Sequence, residues 1–280
     1  MNAPVDLTNC DREPIHIPGT IQAHGALIAC DSAVSRVTRY SVNAHDMLGF
    51  DPALALRGAS VEDLFGGEVT HTLRNTLANA ALARRPALKF GLALNGLDFD
   101  ISVHRSGREV IVEFERSGPS RAEPLNIVRT VIGRAMKSHT LEALTTDTAR
   151  LVRAVLGYDR VMVYRFEPDG SGQVINEAKG AHLESFLGQY FPASDIPQQA
   201  RALYLRNTIR IIMDSDGARI PVMPAEDELG DPLDLSDAHL RSVSPIHCEY
   251  LRNMGVSASM SISIVIDGAL WGMVACHHYQ

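Results

Sequence analysis

The second half of the sequence carries side chains that could together bind a large, planar, anionic molecule. Arg210 and Arg241 have guanidinium groups, which pair with carboxylates through two parallel hydrogen bonds. His247 and Tyr250 lie three residues apart after Pro245, a favoured first residue of a helix, so we expect both rings to project from one face. Each residue alone is more often structural, as a surface ion pair or a satisfied core histidine. Their combination points to a ligand.

Two predicted strands near the C-terminus could form the floor of the same site. The run from Ser259 to Ile266 alternates between serines and apolar residues, and Asp267-Gly268 then predicts a tight hairpin into a second strand, Leu270 to His278. An unpaired buried hydroxyl costs about 1–3 kcal/mol, so a buried serine face needs partners, although this face could simply meet water. The second strand favours burial, because a solvated face rarely carries such side chains. The hydroxyls are those of Ser259, Ser261 and Ser263, and one face of the second strand carries Trp271, Met273, Ala275 and His277.

The run from Tyr190 to Pro197 allows two interpretations. It places Asp195 between two prolines, which restrict the backbone. In the first interpretation, Ser194 or Asp195 caps a helix predicted from Gln198 to Arg206. In the second, Asp195 stands at the lip of a cavity, where its carbonyl and its carboxylate can meet a polar ligand.

Cys10 is the cysteine that packing explains least. It lies between Asn9 and Asp11 in a polar segment, whereas Cys30 and Cys276 lie in apolar, strand-like runs. The four cysteines show no Cys-x-x-Cys spacing, so we expect neither a disulfide framework nor a metal site. An accessible thiol is either incidental or a point of covalent chemistry, and the residues alone leave both possibilities open.

Composition limits the class of protein. The chain has 280 residues, of which 45% are hydrophobic and 21% charged, and this is enough for two domains with separate cores. The net charge is -7 and no basic run exceeds a pair, so nucleic acid and anionic membranes are poor partners. No apolar run reaches the length of a membrane span, and the N-terminus does not resemble a signal peptide. We therefore expect a soluble, cytoplasmic protein.

The periodicity of the chain predicts two domains, each made of a sheet with helices. The first ends near Ser117-Gly-Pro119 and the second begins near residue 130. In the first, we predict strands at Ala26–Cys30, Val37–Val42, Leu97–His104 and Glu109–Arg116 and a helix at Glu68–Arg85. In the second, we predict helices within Leu125–Leu156 (broken at 138–140), Asp237–Ser242 and Pro245–Gly255, strands at Tyr158–Phe166 and Gln173–Glu177, and a loop at Asp214–Leu235. The helical stretch after Leu125 has a spare apolar stripe that could pack on a second copy.

Four blocks of this sequence resemble bacterial phytochromes. They are Cys10 to Gly25, Tyr190 to Pro197, Arg241 to Gly255 and Leu270 to His278. The resemblance covers essentially the whole chain, and the four motifs together are very specific. It implies an α+β fold with a PAS and a GAF domain, each a central antiparallel sheet flanked by helices. It also implies a knot at their junction, where the N-terminal arm threads the Asp214–Leu235 region.

The resemblance divides the chain into an arm (1–18), a PAS domain (19–118), a linker (119–129) and a GAF domain (130–280). It implies that biliverdin IXα, a linear tetrapyrrole, is bound covalently. Cys10 would form a thioether with the ring A vinyl group, Asp195 would offer its carbonyl to the pyrrole N–H groups, and His247 would hold a central water. The chromophore-binding residues implied are Asp195, Ile196, Pro197, His247, Arg210, Arg241, Ser259, Ser261, Tyr164, Phe191, Tyr204, Tyr250 and His277.

Within that set, the resemblance assigns each end of the pigment. Arg210 and Arg241 would clasp one propionate, and Ser259 with Ser261 would bind the other. His277 would bond the ring D carbonyl. The ring D wall would consist of Tyr164, Phe191, Tyr204 and Tyr250.

The implied function is that of a red/far-red photoreceptor module and not an enzyme. Light would isomerise the pigment from 15Z to 15E and signal to an output domain, expected to be a histidine kinase acting on a response regulator. The PHY and output domains of the family are absent from this sequence, so we expect incomplete photoconversion. A homodimer through the GAF helices is the expected assembly.

Two other classes of function remain to be weighed. PAS–GAF tandems also sense haem, cyclic nucleotides or other small metabolites. Cys10 with a histidine could act as a nucleophile–base pair of a hydrolase, but no motif places a histidine beside it. Cys248 directly follows His247, whereas plant and cyanobacterial relatives attach their pigment through a cysteine just before that histidine, and the different direction of the side chain on a helix argues against Cys248 as the main attachment point.

Overall fold

The computed structural model describes residues 13–83, 85–118 and 124–279. The chain divides into two compact units. The N-terminal unit contains Pro14–Gly118 and Gly217–Ser244, and the C-terminal unit contains Pro119–Asp216 and Pro245–Gln280. Two domains were predicted, and the segment Gly217–Ser244, placed by the sequence within the second, belongs to the N-terminal unit.

The elements below are those of the described residues. The strands are β1 Thr20–Gln22, β2 Gly25–Asp31, β3 Val37–Ser41, β4 Ala87–Leu94, β5 Leu97–Ser106, β6 Glu109–Arg116, β7 Arg160–Phe166, β8 Gly172–Lys179, β9 Tyr190–Phe191, β10 Ile209–Ile212, β11 Arg219–Met223, β12 Ala258–Ile266 and β13 Ala269–His278. The helices are α1 Ala44–Leu48, α2 Val61–Ala83, α3 Pro124–Ala135, α4 Leu141–Leu156, α5 Gln198–Arg206 and α6 Pro245–Asn253.

The N-terminal unit is built on an antiparallel sheet in the order β1-β11-β3-β2-β6-β5-β4. Side chains of β2 and β6 alternate between the two faces. One face forms a core with α2, in which Leu73 packs near Phe114. The other face packs beneath the chain from Leu233 to Leu240, with Leu27 and Ile111 buried there. Both faces of this sheet are therefore covered by the unit's own chain.

The C-terminal unit is built on an antiparallel sheet in the order β10-β12-β13-β7-β8-β9. Helix α4 covers one face, where Ala149 packs with Val161, Val163 and Cys276. Thr140 begins α4, because its hydroxyl accepts the backbone N–H of Ala143. The break predicted at residues 138–140 is thus confirmed. The opposite face of the sheet carries the candidate site.

Two predictions for the chain after Asp214 are wrong. The segment Asp237–Ser242 forms a turn and bends rather than a helix. Its backbone N–H groups at His239 and Leu240 donate to the carboxylate of Glu113, at 3.1 and 2.6 Å, instead of to helical carbonyls. The predicted Asp214–Leu235 loop contains β11, which pairs with β1 and β3. This strand is too short to show a hydrophobic period.

The remaining differences concern the start of one helix and several short or edge elements. Helix α2 begins at Val61, not Glu68, and Gly66 interrupts it with a φ of 79°. Strands β4 and β10 were not predicted. Both lie at sheet edges, and β4 loses its alternation at a bulge between Lys89 and Leu92. Helix α1 and the short strands β1 and β9 were not predicted either, and the remaining strands and helices agree with the sequence to within a few residues.

Candidate functional site

A cleft of about 750 Å³, counting the space open to solvent at its mouth, lies on the free face of the C-terminal sheet. Asp195 and Arg210 are the charged residues among those that line it. The lining residues are Met162, Tyr164, Val174, Phe191, Asp195, Ile196, Tyr204, Arg210, Ile212, His247, Tyr250, Leu251, Met254, Ser259, Ser261, Met273, Ala275 and His277.

The strand register brings the polar groups of the floor together. Ser261 of β12 lies opposite Arg210 of β10, and Ser259 lies opposite His277 of β13. These four side chains come from three neighbouring strands and occupy alternate rungs, so they share one face of the sheet. The alternation predicted for the serine strand thus places two hydroxyls in the cleft. The third serine, Ser263, donates its hydroxyl to the carbonyl of Tyr204 at 2.8 Å.

Two buried nitrogen atoms of the cleft have no hydrogen-bond partner among the described residues. They are Nε of Arg210 and Nδ1 of His277. A buried polar atom without a partner is costly, so native structures rarely leave one unless something else satisfies it. The Arg210 nitrogen is a donor, which suits an anionic acceptor such as a carboxylate. The floor therefore matches a ligand that brings its own polar groups.

The two histidines of the cleft are held neutral. Burial lowers the pKa of His247 to about 4, with smaller contributions from Arg210 and His277. Burial lowers the pKa of His277 to about 4 as well, with a contribution from Arg160. A neutral imidazole has one donor and one acceptor nitrogen, so each ring can bond a carbonyl, an N–H group or a water.

Helix α6 aims His247 and Tyr250 into the cleft, as their spacing predicts. Their rings are stacked, with centroids 6.1 Å apart. The hydroxyl of Tyr250 donates to Oδ2 of Asp195 at 3.1 Å. Burial raises the pKa of Asp195, and this hydrogen bond partly offsets the increase.

Asp195 closes a short 3₁₀ turn, Ala193–Asp195, between the two prolines. Pro197 occupies the N-cap position of α5, and no side chain caps that helix. The capping interpretation of Asp195 is therefore wrong. The position at the lip of a cavity is the one observed.

Aromatic side chains form one end of the cleft. Tyr164 lies 5.3 Å from Phe166 and 6.1 Å from Phe191 between ring centroids. Two glycines make room for Tyr164. A Cβ at Gly172 would overlap its ring, and one at Gly272 would overlap its carbonyl oxygen.

Comparison with known proteins accounts for this arrangement. Residues 10–117 match the family described as PAS fold, and residues 140–280 match the GAF domain family. A bacteriophytochrome of Pseudomonas aeruginosa is 44% identical over 98% of this chain, and cyanobacterial phytochrome B of Nostoc sp. is 41% identical over 98%. The chain belongs to the phytochrome family, as its PAS–GAF portion.

Solved structures agree with this assignment. The chromophore-binding domain of a Stigmatella aurantiaca bacteriophytochrome mutant in the Pr state is 42% identical, with a TM-score of 0.87. That match covers 97% of this chain and 91% of the other. The α+β prediction of a PAS and a GAF domain is confirmed. This chain spans 37–38% of the length of the phytochromes from Nostoc sp. and Pseudomonas aeruginosa.

Most residues that the phytochrome resemblance singled out line the cleft, but two do not. Arg241 belongs to the N-terminal unit, where its guanidinium donates to the carbonyl of Ile15 at 2.6 Å. Pro197 lies beside the cleft, at the start of α5. Cys10 lies outside the described residues. Those that line the cleft are Tyr164, Phe191, Asp195, Ile196, Tyr204, Arg210, His247, Tyr250, Ser259, Ser261 and His277.

The face predicted for the last strand is partly wrong. Met273, Ala275 and His277 line the cleft, but Trp271 packs with the core on the opposite side. A bulge beside Trp271, where the pairing passes from Gly272 to Leu270, reverses the alternation.

Sequence reasoning missed several apolar lining residues and one buried ion pair. Met162 could have been found, because it alternates with Tyr164 along β7. Arg160 and Glu177 showed no signal, because a charged residue in a strand usually faces water.

Among the described residues, no helix is both long enough and apolar enough to cross a membrane.

Proposed function

We propose that the C-terminal unit binds biliverdin IXα and that the chain serves as the light-sensing part of a longer phytochrome. The observation that carries this proposal is the pair of buried, unpartnered nitrogens on Arg210 and His277 at one cleft floor. A linear tetrapyrrole brings both a propionate for the arginine and a carbonyl for the histidine. When bound, it supplies red-light absorption and isomerisation from 15Z to 15E.

The residues of the cleft would divide the work of holding the pigment. Arg210 would pair with one propionate, and Ser259 and Ser261 would donate hydroxyls to the other. Asp195 would offer its main-chain carbonyl as an acceptor, since buried N–H donors need one. His247, held neutral, would orient a water. Arg241 remains a proposed second clamp on a propionate.

Cys10 is proposed as the covalent anchor. Its sulfur would bond to the ring A vinyl group, whose double bond becomes single, and the thiol proton would end on the neighbouring vinyl carbon. No oxidant or reductant is needed. The addition happens once per protein molecule, so no turnover of a diffusing substrate is proposed.

The direct test adds biliverdin to the apoprotein and measures absorption and zinc-induced fluorescence on a denaturing gel. We expect a coloured, covalently labelled wild type and an unlabelled Cys10→Ser variant. Cys248→Ser is the matched control and should label like the wild type. A colourless wild type would refute the function, whereas equal labelling of Cys10→Ser would refute only the anchor.

The knot is proposed from contacts within the N-terminal unit. The backbone N–H of Leu235 donates to the carbonyl of His16, and that of Gln22 donates to the carbonyl of Leu240. These bonds join the end of the arm and the following strand, β1, to the segment that the arm would thread. Proteolysis with the pigment bound tests it: we expect a cut between residues 226 and 230 to leave the fragments associated under native conditions.

We also propose a cytoplasmic homodimer that signals through a PHY domain and a histidine kinase to a response regulator. Exposed apolar residues on α3 and α4 support the dimer, including Ile132, which is 52% exposed, and Leu141, which is 51% exposed. Analytical ultracentrifugation of Ile132→Glu should give a monomer if α3 forms the interface. The comparisons do not favour a sensor of haem, cyclic nucleotides or other metabolites.

A further inference from the structure

A buried ion pair stands beyond the aromatic end of the cleft. Arg160 begins β7 and Glu177 lies on β8, and each side chain is only 3% exposed. The guanidinium donates to Oε1 of Glu177 at 2.8 Å. Neither residue lines the cleft, but Arg160 pairs directly across the sheet with His277.

Both partners hold the same short segment, residues 184–186. Arg160 donates a second bond to the carbonyl of Glu184 at 2.8 Å. Glu177 accepts the hydroxyl of Ser185 at 2.6 Å and the backbone N–H of Phe186 at 3.2 Å. The guanidinium also stacks over the Phe186 ring, 3.8 Å from its centroid. The pair therefore determines both the backbone and the ring position of Phe186.

Phe186 connects the pair to the wall of the cleft. Its ring lies 6.2 Å from that of Phe191, which in turn lies 6.1 Å from that of Tyr164. Phe191 and Tyr164 line the cleft, and Phe186 packs behind them. Interiors are close-packed, so a shift of Phe186 displaces the rings in front of it.

Stability alone is a poor reason for this pair. Two charges taken from water lose much of their solvation free energy, and apolar residues of similar size often replace a buried pair without loss. Such a pair nevertheless admits only a narrow geometry, because its hydrogen bonds are directional. The contacts of this pair indicate that it fixes the position of the segment 184–186.

We propose that Arg160 and Glu177 are positioning residues for the light reaction, which place the aromatic wall through Phe186 and keep a positive charge beside His277. The inference rests on the proposed function. It adds two residues, outside the cleft, that determine how the pigment end beside the wall responds to light.

The test compares Glu177→Gln, and the double variant Arg160→Met/Glu177→Met, with the wild type after loading with biliverdin. The double variant removes both charges together and so avoids an unpaired buried ion. We expect covalent labelling equal to the wild type, a shifted absorption maximum, and a red-light photoproduct yield lower by about fivefold, which corresponds to about 1 kcal/mol.

Arg165→Met is the matched control. It removes an arginine from the same strand, where Arg165 pairs with Glu167 at 2.6 Å in a more exposed bridge, with side chains 34% and 24% exposed. We expect its spectrum and photoproduct yield to match the wild type.

Phe186→Ala tests whether the ion pair acts on the aromatic wall through Phe186. We expect it to reproduce the loss of photoproduct, and adding Glu177→Gln to it should lower the yield little further, because both changes act on one path. Wild-type yields in the pair variants, or fully additive losses, would overturn the inference. A wild type that takes up no pigment would instead refute the proposed function.

Discussion

The two sheets of this protein bury polar side chains on one face for opposite purposes. In the N-terminal unit, Arg39 donates to the carbonyls of Ala225 and Asp231 at 3.0 and 2.9 Å, and Glu113 accepts two backbone N–H groups. These polar groups bind the unit's own chain. In the C-terminal unit, Arg210 and His277 each keep a buried nitrogen that no described residue satisfies.

This difference in hydrogen-bond partners indicates where a ligand can bind in a fold of this kind. Both sheets are antiparallel, and both have one apolar face covered by a helix. Burial of polar groups does not by itself separate a site from a core. What separates Arg39 and Glu113 from Arg210 and His277 is whether the chain supplies their hydrogen-bond partners, because the desolvation cost of a buried polar group must be offset by something.

The largest expected effect comes from the N-terminal unit, where the chain itself supplies the partners of the buried polar groups. Glu113→Ala would leave the backbone N–H groups of His239 and Leu240 buried without an acceptor, and we expect a loss of about 2–4 kcal/mol in the free energy of unfolding. Urea unfolding of the apoprotein, with hydrogen exchange at these amides, measures it. Arg210→Met is the counterpart, and it should cost less than about 1 kcal/mol, because it removes a group that the chain leaves unpaired. Equal losses of unfolding free energy in the two variants would contradict the difference proposed between Glu113 and Arg210.

The stability of the two units should change with pH in opposite directions. Burial raises the pKa of Glu113 to about 7. Its contribution to the free energy of unfolding is therefore fully present below about pH 4.5 and is lost as the pH rises through 7. Burial lowers the pKa of His277 to about 4, so its contribution is present above about 6.5 and is lost as pH falls through 4. Each change amounts to at most about 3 kcal/mol.

Urea midpoints between pH 4 and 8 measure these slopes. Glu113→Gln should remove the loss on the alkaline side, and His277→Gln should reduce the loss on the acid side. Because His247 shares the lowered pKa, the acid slope should fall only in part. A wild type whose hydrogen exchange shows the same pH trend in both units would contradict the comparison.

A smaller effect is expected from filling the space beneath the aromatic wall. Gly172→Ala forces the Tyr164 ring to move, and overpacking of this kind costs about 1–3 kcal/mol. We expect the absorption band of the loaded protein to shift as well. Gly133→Ala is the control, since nothing lies within 4 Å of a Cβ there, and it should leave the band unchanged. An unshifted band in Gly172→Ala would mean that Tyr164 can move without reaching the pigment.

The smallest expected effect concerns the bond between Tyr250 and Asp195. Tyr250→Phe removes a hydrogen bond of 3.1 Å at the lip of the cleft and should cost about 0.5–1.5 kcal/mol. It should also raise the pKa of Asp195 further, because that hydrogen bond is what lowers it. A pH titration of the bound pigment's absorption would show the apparent pKa moving upward, and a downward shift would contradict this role of Tyr250.

Local sequence patterns are enough to predict several parts of the site. The shared direction of His247 and Tyr250 on α6, and of Ser259 and Ser261 on β12, follows from the helical and strand periods, which act over a few residues. The phytochrome motifs, Tyr190 to Pro197 among them, then identified the family. These features could be predicted because each depends on neighbours in the chain.

Contacts between residues far apart in the chain could not be predicted from these local patterns. Glu113 meets Leu240 across 127 positions, Arg160 meets Glu177 through the register of a hairpin, and Arg241 belongs to the unit opposite to the one expected. A bulge turned Trp271 away from the cleft. Register, bulges and long-range closure depend on how whole elements pack, and no local period of the sequence records them.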